Sequence, residues 1–178
     1  MNLPRQGLRQ LLLMATALPV PALAQSFQPV SVQAVGVYVV RRAECCDVRE
    51  NDVHFGWEAQ LRYTFSNLSV GVGYQRSTVN AAFIEPRFVP TAWGKAAVYV
   101  AGRGGLATLR CDPGATCAPQ GRELLLGGGG GILYQAGPQV SVDLGTQYFT
   151  TYFAPSQTEG ARQRTGWGQV RLGLNVGF

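Results

Sequence analysis

The sequence is short of what most functional signatures require. It has one histidine, His54, in 178 residues, so a His-rich metal site is excluded and any imidazole acid–base role rests on that residue. Charged residues make up only 14% of the chain, although 46% is hydrophobic. Nowhere do the apolar residues run for the ~18 positions that a transmembrane helix needs. The hydrophobic content is dispersed in short pieces instead. Acidic residues are few, 10 against 15 Lys and Arg, yet the net charge of +5 is too small and too interspersed to mark a nucleic-acid partner. The length fits one domain.

Glycine, with 23 residues, is what the chain has in plenty, together with a period-two alternation that recurs from residue 30 to the end. The N-terminus is different in kind. Arg5 and Arg9 precede an apolar segment over 11–20 and then Ala22-Leu23-Ala24, the pattern of a cleaved secretory signal peptide. The expected organisation is a signal peptide over 1–24 and one domain over 25–178. Losing Arg5 and Arg9 lowers the formal charge from +5 to +3.

Alternation predicts strands at about residues 30–40, 54–65, 68–75, 80–89, 96–109, 123–135, 140–153 and 167–178. In 54–65, Phe55, Trp57, Leu61, Tyr63 and Phe65 face one way, and His54, Glu58, Gln60 and Arg62 the other. Turn chemistry at Ser66-Asn67, 90–95 and 136–139 makes short connections, expected on the periplasmic side. The charge-dense 41–52, with 76–79, 110–122 and 154–165, reads as loops on the opposite side. Pro86 weakens the fourth strand because it removes a ladder donor. These features predict an all-β, eight-stranded antiparallel up-and-down transmembrane barrel, apolar towards lipid and polar towards its lumen.

The segments GRGGLATLR, GGGGGILYQAGPQVSVDLGTQYF and GQVRLGLNVGF resemble the middle and C-terminal strands of the OmpA/OmpX-like small outer-membrane β-barrel family. That resemblance implies the bacterial outer membrane as location, with Phe178 as part of the signal read by the barrel insertion machinery. It implies outer-membrane lipids, lipopolysaccharide among them, as surroundings. No peptidoglycan-binding domain is expected after the barrel, which looks closer to the stand-alone barrels and is expected as a monomer.

The residues that could do chemistry gather on the lumen face. Glu58, Glu85 and Asp143 stand against Arg62, Arg87, Arg103 and Arg171, and buried charges of both signs are expected to pair, since an isolated one costs several kcal/mol. An eight-stranded interior is just wide enough for its side chains to fill it, so the expected lumen is plugged by a polar ion-pair network rather than open. Some barrels of similar size are lipid A hydrolases with adjacent His and Ser on one strand; here His54 is followed by Phe55 and Gly56, and no catalytic role is assigned to it. The run from Gly102 to Ala107 matches G-x-G-x-x-A, but a dinucleotide site needs a helix after it. No cofactor is expected, and the glycines read as room for close strands and for Arg103.

Four cysteines, Cys45, Cys46, Cys111 and Cys117, in an exported chain point to disulfides with three possible pairings. A local Cys111–Cys117 bridge is one arrangement. Links from Cys45 and Cys46 to the other pair, strapping two loops across the barrel mouth, are the alternative. The loops carry mixed charge, with Arg162 and Arg164 in the last, where rim cations could hold lipopolysaccharide phosphates or the loops dock a host or envelope protein. A non-enzymatic role in envelope structure or surface interaction is therefore expected, with a lipid A modifying enzyme and a narrow pore as alternatives.

Overall fold

Strands that alternate apolar and polar must bury one set and shield every backbone donor, and closure of the sheet does both. The computed structural model describes residues 28–45, 48–77, 79–109, 122–152 and 164–178. They form β1 (Val30–Cys45), β2 (Val48–Phe65), β3 (Leu68–Arg76), β4 (Val79–Trp93), β5 (Ala96–Leu109), β6 (Glu123–Gln135), β7 (Val140–Tyr152) and β8 (Arg164–Gly177). Neighbours in sequence pair antiparallel, and β8 pairs back onto β1, from Ser31↔Gly177 to Arg42↔Gly166, to close the barrel. The last strand is thus the seam.

Three boundaries differ from expectation. Residues 41–52, read as a loop, continue the β1–β2 ladder to Cys45↔Val48. The register sets Arg41 opposite Asp52 and Glu44 opposite Arg49, so the charge density is a cross-strand pattern of opposite signs. The fourth strand runs on to Trp93, past the expected turn at 90–95, and only Gly94 and Lys95 remain as turn. β8 starts at Arg164, opposite Tyr152, rather than at Trp167.

Pro86 leaves its mark as expected of a residue without an N–H. The ladder from β4 to β5 runs Ile84↔Gly104 and then Arg87↔Ala101, with no pairs at Glu85 and Pro86, and the separate register shift between Phe88 and Thr91 falls at Pro90. Glu85, whose carboxylate matters below, lies in that interrupted stretch.

Two of the short turns place two residues between paired strand ends, Ser66-Asn67 between Phe65↔Leu68 and Gly94-Lys95 between Trp93↔Ala96. Each has a first residue at φ 55, as a type II′ hairpin turn requires, and glycine is the residue suited to it. Gly94 meets that need and Ser66 does not. Ser66→Gly should therefore stabilise the barrel by up to about 1 kcal/mol, seen as a higher urea midpoint in lipid vesicles.

The outer surface is an apolar belt: Leu61, Val72, Ile84, Val100, Leu144, Leu172 and Leu174 are all exposed, flanked by exposed Tyr63, Phe65, Phe88, Trp93 and Tyr134 near the short-turn end and by Phe55, Trp57 and Tyr148 nearer the other. A soluble monomer rarely exposes so continuous an apolar surface. A bilayer-spanning barrel with aromatic girdles requires it.

Candidate functional site

The interior is built in two layers by the inward parity of each strand. Towards the short turns lies the charged layer. Glu58, Arg62, Glu85, Arg87, Arg103, Asp143 and Arg171 all point inward and are all buried. Glu85 is the hub, because its carboxylate meets all four guanidiniums. Oε1 accepts from Arg62 Nη2 at 2.8 Å and Arg87 Nε at 2.7 Å, while Oε2 accepts from Arg103 Nε at 3.0 Å, Arg171 Nη1 at 2.9 Å and Gln147 Nε2 at 2.7 Å. Glu58 Oε1 takes Arg171 Nη2 at 2.8 Å and its Oε2 lies 2.9 Å from Arg103 Nη2. Asp143 accepts from the Tyr99 hydroxyl at 2.7 Å and from Gln33, and its Oδ2 lies 2.8 Å from Arg87 Nη1.

Neutral side chains complete this layer, and they are what a count of charges overlooks. Gln60 donates to Glu58, Arg103 Nη1 donates to Gln75 at 2.9 Å, Arg87 Nη2 to Gln33 at 3.2 Å and Gln169 to Gln147 at 2.8 Å. The signal that finds Gln60, Gln147 and Gln169 is parity: each shares the inward face of its strand with a charged residue, whereas Gln33 and Gln75 have no such companion among the described residues. Two aromatics also lie inside, with Arg87 4.4 Å from the Tyr99 ring centroid and Arg103 3.8 Å from that of Phe83. Cation–π attraction is strongest where, as here, the cation is desolvated.

Glycine makes the space for this filling. A Cβ on Gly145 would stand 2.4 Å from the Tyr99 hydroxyl, and one on Gly129 2.1 Å from Thr146 O. The glycines of β6 and β7 therefore admit Tyr99 and Gln147, whereas the sequence reading reserved the room for Arg103. The G-x-G-x-x-A run lies wholly within β5 and is paired to β6, so it opens no helix.

Towards the long connections the interior changes character, and here the expectation of a polar filling is corrected. Val35, Val37, Val39, Val79, Ala81, Ala107, Leu125, Phe149 and Trp167 form a buried apolar cluster. Phe149 and Trp167 stack with centroids 6.4 Å apart and planes 16° from parallel. Trp167 is 0% exposed and its indole N–H donates to Thr151 Oγ1 at 3.4 Å. β1 contributes three valines inward where other strands contribute charges, so an alternation of equal hydrophobicity on both faces hid the direction.

His54 pairs with Val39 across β1 and β2 and is half-buried. A described serine near that end, Ser77, is engaged with its neighbours: its hydroxyl lies 3.2 Å from both Val79 O and Val79 N and accepts from Gln75 at 3.2 Å. The side chain of Cys45 and all of Cys46, Cys111, Cys117 and Arg162 lie outside the described residues, as does the Arg164 side chain. Residues 1–24 lie outside them as well.

A closed eight-stranded antiparallel barrel, apolar outside and charged within, has the fold of the small outer-membrane β-barrels. Solved structures bear this out. Neisserial surface protein A superposes with a TM-score of 0.68 at 18% identity, over 84% of this chain and 97% of that one. Outer membrane protein H from P. aeruginosa, solved in DHPC micelles, gives 0.55 at 15% identity, over 82% and 99%. A designed transmembrane β-barrel gives 0.53 at 14% identity, over 85% and 97%. No protein-family model and no curated protein sequence matches the chain. The OmpA/OmpX-like resemblance therefore holds as a likeness of fold.

Proposed function

We propose that the chain is a non-enzymatic protein of the bacterial outer membrane, exported with a cleaved signal peptide, whose lumen is closed and whose work is done at its extracellular loops. The observation that carries this reading is the filled interior. Glu85 with its four arginines occupies one layer, and the Phe149–Trp167 stack with its surrounding valines occupies the next. A solute would have to displace both. With the short turns in the periplasm, the long connections face outward and present the rim cations to lipopolysaccharide phosphates. Arg122, exposed at the start of β6, supports that surface. Engagement of Ser77 with Val79 argues against a His54-based hydrolase that uses this serine, since its proton is held by Val79 O.

Replacing Arg122, Arg162 and Arg164 together by Gln should lower lipopolysaccharide affinity several-fold and more steeply at low salt, while the barrel keeps its heat-modifiable gel shift. Unchanged affinity would end the phosphate reading. Lipid A recovered from membranes with and without the protein should have one mass; a deacylated species made only with the protein would make it an enzyme.

A further inference from the structure

Between the charged layer and the short turns the barrel holds a cavity of about 330 Å³, large enough for a small molecule. It opens between the turn residues Ser66, Asn67 and Pro138, and its inner end is formed by Arg62 and Arg87. Among the described residues, no Asp or Glu lines it. The two arginines are buried, 5% and 1% exposed, so their charge meets the cavity with little water to screen it.

The layer behind them is not neutral. Four arginines against three carboxylates leave 4 − 3 = +1, and the surplus is placed by the contacts. Among the described residues Arg62 is ion-paired by Glu85 alone, a carboxylate it shares with three other guanidiniums. Its Nε has no hydrogen-bond partner among the described residues. Around Arg62 the wall supplies neutral donors. Ser69 accepts from Arg62 Nη1 at 3.1 Å, which leaves its own hydroxyl proton to give, and Ser141 and Asn175 line the same space.

We propose that this vestibule binds a small oxyanion, a carboxylate or a phosphate, entering from the periplasmic side. Two arginines at the inner end with hydroxyl donors beside them favour an anion there, and the added negative charge cancels the surplus. The ionic layer beyond makes the site a blind end. This goes beyond the role of the loops; only the side of entry rests on the orientation given above.

The test is an amide NMR titration of the folded protein in detergent micelles at constant ionic strength, once with inorganic phosphate and once with succinate. Saturable shifts at Ser69, Ser141 and Asn175 are expected, and the anion that produces them identifies the oxyanion chemistry. Ser141→Leu, which fills the cavity and leaves the arginines in place, should weaken binding at least tenfold. Arg62→Gln should do the same wherever it folds, and the leucine variant decides the matter if it does not. Shifts that never saturate, shifts confined to the opposite rim around Arg122, or unchanged binding by Ser141→Leu would overturn the proposal.

Discussion

Glu85→Gln is expected to cost the barrel about 3–5 kcal/mol of stability, the range for breaking a buried ion pair and leaving its partner uncompensated. Few substitutions of one atom should do more. The carboxylate touches Arg62, Arg87, Arg103 and Arg171, and the amide both removes a charge and aims a donor at donors. The charge of the layer rises from +1 to 4 − 2 = +2. Urea unfolding in lipid vesicles, followed by the folded and unfolded bands on a gel, measures the loss. Removing one arginine as well should return part of it, because Glu85→Gln with Arg62→Gln restores a net +1. A double variant as unstable as the sum of the singles would mean that the four guanidiniums are not coupled through Glu85.

The second large effect is at the other layer. Trp167→Ala should cost about 3–5 kcal/mol, the range for emptying an aromatic site in a packed core. Trp167 stacks on Phe149 and is fully enclosed by inward valines, so little around it can collapse into the gap. Fluorescence separates this residue from the other tryptophans. Trp57 and Trp93 are exposed on the outer surface, 49% and 64%, and brominated acyl chains should quench them. In a variant with Trp57→Phe and Trp93→Phe the remaining emission should resist that quenching. Strong quenching would put Trp167 in lipid and invert the register of β8.

The barrel itself was legible because its evidence is repetitive. Period-two alternation marks β3, β5, β6 and β7 to within about a residue, and Ser66-Asn67 fixes one hairpin outright. What misled was local composition. Residues 41–52 resemble a loop when scanned one at a time, and only the register, with Arg41 opposite Asp52, turns them into a hairpin. Pro90 looked like a strand end, yet β4 absorbs it within a shift in register.

For the site, charge was informative and hydrophobicity was not. A charged residue on a membrane strand has one tolerable side, so the inward positions of Arg103 and Arg171 could be deduced from parity. Valine is at home on either face. Nothing in Val35, Val37 and Val39 told inside from outside, and the apolar layer of the lumen became visible only when β1 was paired with β2 and β8. The cavity at the short-turn end was equally hidden. It is defined by Arg62, Ser69, Ser141 and Asn175 from four different strands, and no sequence spacing connects them.

The central claim is that the lumen is closed, and single-channel recording across a planar bilayer tests it most directly. The purified, refolded protein should show no stable conductance above baseline, at either polarity. Reproducible open-channel steps from the wild-type chain would contradict the account, since ions would then be crossing a path occupied by Glu85, its arginines and the Phe149–Trp167 stack.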